Sequence, residues 1–228
     1  MNTRLRKSLI ASLVVAATTG SVLASEPAYY IEGNFGKTNI SNVDTETYSG
    51  SISGYTWNAK ANIEYNSPAT YGFEIGANKP GGLPLRTSFA FNTMKGKFQK
   101  AAVTGTISDG VDTYSSSEPI TRADTAALGL NFDNRINLYS INAYYDFDTK
   151  SALRPYLGIG LGLADIENVE DTEFFYSLHA GLNYDITKTV YVGARVGWYR
   201  ISGPTDKVGI AYEDVKATNF SITLGYRF

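Results

Sequence analysis

The sequence predicts an all-β fold, an antiparallel β-barrel of eight strands, and three observations predict it. Apolar and polar residues alternate with period two in eight separate segments, the pattern of strands with one buried face. The composition favours strands and turns, with 17 Tyr, 11 Phe and 22 Gly in 228 residues. The connections between the segments alternate between short turns and longer polar stretches. Together these features indicate one domain of up-and-down strands.

The first 24 residues have the organisation of a secretory signal peptide. Arg4, Arg6 and Lys7 form a basic start, residues 9–17 form an apolar core, and Ala24 closes the segment with a small side chain. The apolar core is too short for a membrane anchor, which needs about 20 apolar residues. We therefore expect export by the Sec route, cleavage after Ala24, and a mature barrel domain over residues 25–228.

The eight predicted strands have one apolar and one polar face each. They cover residues 29–36, 71–78, 85–94, 137–147, 153–165, 173–185, 190–200 and 218–228. Segment 153–165 shows the pattern most clearly, because Leu157, Ile159 and Leu161 alternate with glycines. Glycine in strand interiors usually marks a close approach or a tight curve, as the narrow lumen of a small barrel requires.

The connections predict which end of the barrel is which. Residues 79–84, 148–152 and 187–189 are short turns, 166–172 and 202–217 are intermediate, and 41–70 and 95–136 are long and polar. Short turns at one end and long loops at the other are typical of transmembrane barrels of the bacterial outer membrane, whose turns are periplasmic.

Two further segments, 57–65 and 123–132, also alternate, so ten strands are an alternative to eight. We expect both segments to be strand extensions that stand above the membrane.

Charged residues on the polar face predict a lumenal network. An eight-stranded lumen is just wide enough to be filled by side chains, so charges of both signs there have to pair. The predicted network contains Glu32, Glu74, Arg86, His179, Arg195 and Arg227. A soluble lipocalin-like barrel, with the apolar face inward, is the alternative orientation. Aromatic residues at the strand ends favour the membrane orientation, since membrane barrels carry interfacial aromatic girdles.

The segments PYLGIGLG (155–162), HAGLNYDI (179–186) and LGYRF (224–228) resemble small outer-membrane barrels of the OmpA, OmpX and neisserial opacity-protein kind. This resemblance implies a porin-family surface antigen in the bacterial outer membrane. It also implies that alternate residues at the end of the chain are read by the barrel-assembly machinery. The corresponding residues here are Ile222, Leu224, Tyr226 and Phe228. We expect no periplasmic peptidoglycan-binding domain after Phe228.

Ser177 and His179 point to the same side of one predicted strand and are the candidate catalytic pair. They bear comparison with outer-membrane lipid A deacylases, which use a His and a Ser on the lipid-facing side. Here the order is reversed, the pair lies on the polar face, and no carboxylate is evident to position the imidazole. We therefore expect a lumenal hydrogen-bond network and no catalytic residue.

The composition excludes several classes of protein. With no Cys and one His, we expect no cofactor and no metal site. A net charge of −2 argues against a nucleic-acid partner.

The predicted function is that of a surface-exposed outer-membrane barrel with a structural or adhesion role. Its expected partners are membrane lipid, the assembly machinery, and a host-cell or matrix ligand bound through loops 41–70 and 95–136. An envelope-lipid-modifying enzyme and a narrow channel are the alternatives.

The signal peptide leads to the first testable prediction. Mass spectrometry of protein purified from outer membranes should find Ser25 at the N-terminus, because Ala24 combines a short side chain with the end of the apolar segment. An intact Met1 on the membrane-purified protein would contradict the signal peptide.

Overall fold

Eight antiparallel strands close into a barrel in the computed structural model, which describes residues 29–80, 83 and 85–228. The predicted signal peptide, 1–24, and its cleavage site lie outside the described residues. In chain order the strands are β1 (Tyr29–Ile40), β2 (Val43–Asp44), β3 (Tyr48–Ile52), β4 (Tyr55–Tyr65), β5 (Ala69–Asn78), β6 (Arg86–Gly96), β7 (Phe98–Ser108), β8 (Thr113–Thr121), β9 (Asn134–Asp146), β10 (Leu153–Ile166), β11 (Glu173–Asp185), β12 (Val190–Ile201) and β13 (Val215–Arg227). One short helix, α1 (Arg122–Ala127), follows β8.

The barrel closes because its first strand pairs on both sides. The strand order around the barrel is β1-β13-β12-β11-β10-β9-β6-β5, and β1 pairs in turn with β5. At the seam, the Tyr29 amide donates to the Phe228 carbonyl at 3.1 Å, and the Phe228 amide donates to the Tyr29 carbonyl at 2.9 Å. The eight-stranded prediction is confirmed, each predicted segment falls on one barrel strand, and the ten-stranded alternative is wrong.

The two ends of the barrel differ in the way that the sequence predicts. Short turns join β5 to β6, β9 to β10 and β11 to β12 at the end that also holds Tyr29 and Phe228. The longer connections all leave from the opposite end, which is the extracellular end in barrels of this topology.

The two longest connections are folded, contrary to the expectation of polar loops over 41–70 and 95–136. They contribute β2, β3, β4, β7 and β8 to a second, five-stranded antiparallel sheet, here called the loop sheet. Segment 57–65 belongs to β4, which pairs with β7 along most of its length and with no barrel strand. The loop sheet therefore stands above the barrel as a separate layer.

Segment 123–132 is not a strand extension, because its first half lies in α1. The Thr121 and Asp124 side chains cap this helix reciprocally, the Thr121 amide donating to the Asp124 carboxylate at 2.8 Å. Ala126 and Ala127 favour helix, and Gly129 follows with a φ of 71°. No helix in the described residues has the length and apolar character needed to cross a membrane.

The outer surface of the barrel is apolar and the interior is filled. Leu157, Ile159 and Leu161 of β10 are each more than half exposed, whereas inward Tyr156 is 2% exposed. Similar bands of exposed apolar side chains run along β5, β11 and β13. This orientation is that of a membrane barrel and the reverse of the lipocalin-like alternative.

The interior has two layers, whereas the sequence analysis assigned it as polar throughout. Polar and charged groups fill the periplasmic part, and apolar side chains fill the extracellular end. The apolar layer contains Ile40, Met94, Ile136, Leu138, Ala164, Ile166, Phe175, Ile201, Val215 and Ala217. The prediction of a polar interior is wrong for the extracellular end. The loop sheet covers this end of the barrel, so apolar side chains there are buried.

The outward band predicts a position-dependent cost of adding charge. Leu161→Arg places a cation on the exposed face of β10, towards the middle of the strand, and should lower the free energy of unfolding by about 2–4 kcal/mol. Asp165→Arg, four residues further along the same exposed face and next to the end of the strand, should cost about 0–1 kcal/mol because it lies near the interface. Urea unfolding in phospholipid vesicles measures both values. Equal costs for the two variants would contradict the assignment of the lipid-facing band.

Candidate functional site

Arg195 joins two carboxylates from different strands in the centre of the lumen. Its guanidinium, on β12, forms ion pairs with Glu32 on β1 and with Glu74 on β5. Glu32 and Glu74 lie directly opposite each other in the β1–β5 register, and each is 1% exposed. Two buried carboxylates on neighbouring strands repel each other unless a cation lies between them. The Arg195 guanidinium occupies that place.

A second arginine completes the cluster. Arg86 donates to the Asp146 carboxylate from Nε at 3.2 Å and from Nη2 at 3.3 Å, and its Nη1 lies 3.9 Å from Glu32 Oε2. The Arg86 guanidinium also lies over the ring of Tyr144, 4.5 Å from the centroid. Arginine suits this position because its planar group can pair and stack at once.

Tyrosine and serine hydroxyls occupy the remaining acceptor sites of the two glutamates. Tyr144 donates to Glu74 at 2.9 Å, Ser88 donates to Glu74 at 3.0 Å, and Tyr191 donates to Glu32 at 2.9 Å. Buried charges are tolerated when they are paired and hydrogen-bonded in this way. The cluster is therefore a cross-link between strands that lie far apart in the sequence.

The inward tyrosines depend on glycines in the neighbouring strands. Four tyrosine rings each lie across a glycine that is directly opposite in the register, where a Cβ atom would collide with the ring. The pairs are Tyr30–Gly76, Tyr144–Gly158, Tyr156–Gly181 and Tyr191–Gly225. Gly158, one of the glycines that the sequence analysis noted in segment 153–165, thus makes room for an aromatic ring beside the charge cluster, and Gly76, Gly181 and Gly225 do the same on other strands.

Two residues of the predicted network lie outside this cluster. Arg227 donates to Asp185 at 2.8 Å near the periplasmic end, and its guanidinium lies over the Tyr191 ring. His179 is buried beside Ser177, with Ser177 Oγ and His179 Nε2 2.9 Å apart. The structure therefore brings together Glu32, Glu74, Arg86 and Arg195, and places His179 and Arg227 on either side of them.

The Ser177–His179 pair has the distance of a hydrogen-bonded dyad but not its surroundings. Both side chains point into the lumen, away from lipid. His179 Nδ1 has no hydrogen-bond partner among the described residues, so no carboxylate orients the imidazole. This arrangement offers packing and one hydrogen bond.

The predicted assembly residues lie on the outer face of the last strand. Ile222, Leu224, Tyr226 and Phe228 are each half exposed or more, in line with the lipid-facing band. The Phe228 ring also packs against the Tyr29 ring across the seam, 6.2 Å between centroids. Their reading by the assembly machinery stays a prediction.

The loop sheet is amphipathic, a feature that the sequence analysis missed. Cross-strand pairs such as Trp57–Ile107 and Ala61–Val103 share one face, whereas Asn58–Thr106 and Asn62–Ala102 share the other. The part of the apolar face furthest from the barrel is exposed and is here called the distal patch. It contains Ile52, Tyr55, Trp57, Ile107 and Tyr114. The alternation of apolar and polar residues over 101–107 could have predicted this strand, but the small and hydroxylated residues in the segment obscured the pattern.

Ion pairs hold the loop sheet over the barrel mouth. Lys60 on β4 lies 2.7 Å from Glu213 in the 202–214 connection, and this hydrogen bond raises the pKa of the Lys60 ammonium. Arg122 on α1 lies 2.7 Å from Asp133, whose carboxyl pKa is lowered by that hydrogen bond. The sheet is thereby tied to a neighbouring connection and to the chain that enters β9. Lys60, Glu213 and Arg122 are exposed, whereas the Asp133 side chain is 8% exposed. The exposed Lys60–Glu213 pair contributes little stability alone, and its value is in orienting the sheet.

In the described part of the chain, no group of three or more His, Cys, Asp or Glu side chains is arranged to hold a metal ion.

Comparison with known proteins places the fold. Residues 8–228 match the family described as outer membrane protein beta-barrel domain. The structure of neisserial surface protein A is similar over 88% of this chain and 97% of its own, at 16% identity and a TM-score of 0.52. OprG of Pseudomonas aeruginosa aligns over 91% and 99% of the two chains, at 13% identity and a TM-score of 0.43. The N-terminal barrel of Pseudomonas aeruginosa OprF aligns over 89% and 100%, at 16% and 0.41. None of the curated proteins matches the chain. At such identities the likeness to neisserial surface protein A is one of fold.

The charge cluster predicts a large effect of removing its central cation. Arg195→Met leaves Glu32 and Glu74 buried without their shared partner, and should lower the free energy of unfolding by about 3–5 kcal/mol. The measurement is urea unfolding in vesicles, followed by intrinsic fluorescence.

Arg200→Met on the same strand is the matched control. Arg200 points outward and pairs with half-exposed Asp214, so its loss should cost about 1 kcal/mol or less. Adding Glu74→Gln to Arg195→Met should recover part of the loss, because one uncompensated charge is removed. If Arg195→Met and Arg200→Met destabilise the barrel equally, the cluster does not have the role described.

Proposed function

Because the chain belongs to the outer membrane β-barrel domain family, we propose that it acts at the bacterial surface as a binding protein whose contact surface is the loop sheet. The observation that carries the proposal is the distal patch, an exposed apolar face on a folded layer beyond the barrel mouth. Its partner is a protein on host cells or in the extracellular matrix.

The chemistry of the distal patch supports binding to a protein. Trp57 is 38%, Tyr55 43% and Tyr114 66% exposed. Tryptophan and tyrosine are enriched at the energetic centres of protein interfaces, because they bury a large area at a small entropic cost. A contiguous apolar patch on a water-facing surface usually marks an interaction site.

The construction of the loop sheet also supports this function. Paired strands present the patch on a stiff surface, so binding of a partner does not carry the entropic cost of ordering a flexible loop. The outer strand β8 is exposed along its whole length, and Pro119 within it lacks an amide donor. The β8 edge is thereby blunted against strand pairing, which favours the apolar face over this edge as the contact surface.

The same geometry gives less support to the two alternatives. A lipid-modifying enzyme needs a reactive pair that reaches lipid, whereas Ser177 and His179 point inward. A narrow channel needs a path past Arg195, which is paired with two carboxylates across the lumen. The proposal therefore assigns the lumen a structural role.

A matched pair of double variants tests the proposal. Trp57→Ser with Ile107→Ser removes the centre of the distal patch, and adherence of bacteria to host cells or matrix-coated surfaces should fall about tenfold or more, as for loss of an interface hot spot. Asn58→Ser with Thr106→Ser changes the adjacent cross-strand pair on the opposite face and should leave adherence unchanged.

Both variants should still migrate as folded barrels before heating and as unfolded chains after boiling, since the barrel strands are untouched. Wild-type adherence by the Trp57/Ile107 variant, with the protein present at the surface, would overturn the proposed function. An equal loss in both variants would point to a disordered sheet and would also contradict the patch.

A further inference from the structure

A cavity of about 540 Å³ lies between the loop sheet and the extracellular mouth of the barrel. Its floor is the apolar layer of the lumen, including Ile40, Ile136 and Val215. Its roof is the part of the apolar sheet face nearest the barrel, including Ala61 and Ala101. The volume falls within the range of roughly 300–1,000 Å³ that is usual for small-ligand sites, which often occupy the mouths of β-barrels.

Several of the polar side chains that line the cavity already bind one another. Asn134 Nδ2 donates to the Tyr65 hydroxyl at 3.1 Å, and Asn168 Nδ2 donates to Asn134 Oδ1 at 3.0 Å. The Tyr212 hydroxyl donates to the Asp206 carboxylate at 3.0 Å. Burial raises the pKa of the Tyr65 hydroxyl, as expected for a group away from water. An occupant would find few hydrogen-bonding partners here, so the cavity favours hydrocarbon over a sugar or a peptide.

The cavity has a buried end and an exposed end. Val43 and Phe98 are buried at the first, whereas Glu167, Lys207 and Val208 are exposed at the second. The residues at the exposed end belong to extracellular connections, and no outward residue of the described barrel strands lines the cavity, so we infer that this end faces the water outside the cell. A molecule that matches this gradient has an apolar chain and a polar head.

We propose that this cavity binds the hydrocarbon chain of a single-chain amphiphile, such as a free long-chain fatty acid, taken from the water outside the cell. The chain lies between the loop sheet and the barrel floor, and the head stays at the exposed end beside Lys207. The site is separate from the distal patch, since neither Trp57 nor Ile107 lines the cavity. If this cavity does not bind such a molecule, the proposed adhesion function of the distal patch is not affected.

Photo-crosslinking tests the proposal on the full barrel in phospholipid nanodiscs, which keep detergent out of the cavity. Hexadecanoic acid carrying a diazirine on its chain is added, irradiated, and mapped by mass spectrometry of the labelled peptides. Labels should concentrate on the lining segments of β4, β7 and the 202–214 connection. An excess of unlabelled hexadecanoate should suppress this labelling about tenfold or more, whereas hexanoate, whose chain is too short to fill the cavity, should suppress it far less.

Neighbouring alanines on opposite faces of β7 supply the matched variants. Ala101→Trp fills the cavity from its roof and should reduce labelling of the lining about tenfold or more. Ala102→Trp adds the same side chain to the other face and should leave the labelling unchanged. Heat-dependent gel migration checks that both variants fold. If Ala101→Trp does not fold, the competition by hexadecanoate against hexanoate on the unaltered protein decides the matter.

A phospholipid with the same diazirine, built into the nanodisc, distinguishes the source of the chain. It should label the outward residues of the barrel and leave the lining unlabelled. Equal labelling of the lining by phospholipid and free fatty acid would overturn a water-borne ligand. Unchanged labelling in folded Ala101→Trp, or labels confined to the outer band, would overturn the site itself.

Discussion

The structure depends on one constraint, which is that no backbone amide or carbonyl can face lipid without a hydrogen-bond partner. A sheet satisfies this condition only by closing, and the amide and carbonyl groups of Tyr29 and Phe228 complete the closure. Closure with eight strands sets a narrow lumen, and a narrow lumen has to be filled by side chains. The charge cluster and the tyrosines opposite glycines follow from that requirement.

Because the lumen is filled, the surface that other molecules can reach lies mainly at the extracellular end of the protein. The outer band is apolar and suited to lipid, and Arg195 and its partners occupy the centre. The loop sheet is left as the main surface that water and other molecules can reach. The two faces of the loop sheet have different surroundings. The polar face carries exposed or partly exposed side chains such as Asn58 and Thr106, whereas the apolar face lines the cavity over the barrel mouth and extends beyond it.

The barrel could be predicted because its physics is local. Strand alternation has a period of two residues, and the turn signals lie within a few residues of the strand ends, so both are visible in the sequence. The inward position of Glu32, Glu74 and Arg195 follows from the same alternation. Their mutual pairing does not, because Glu32 and Arg195 meet only after β1 and β12 come together in the closed barrel.

The extracellular layer was harder to predict for a different reason. The strands of the loop sheet contain runs such as Ser115–Ser117, which have the composition of loops and are exposed in the structure. Their strand state comes from pairing across a long connection and not from local preference. In α1, by contrast, a local signal was present in Thr121 and Asp124, but the alternation of the following residues suggested a strand. The cavity arises from the stacking of two separate sheets, which no local pattern reports.

The tyrosine–glycine pairs of the lumen also affect how such a chain can change over generations. A lipid-facing position such as Ile159 accepts other apolar residues, so neutral substitutions can accumulate on the outside. Tyr144 and Gly158 are not free in this way, because any side chain at the glycine collides with the ring. A viable change at one member requires a compensating change at the other, on a different strand. Interior positions should therefore change in pairs over generations, whereas the lipid-facing positions need to keep only their average apolar character.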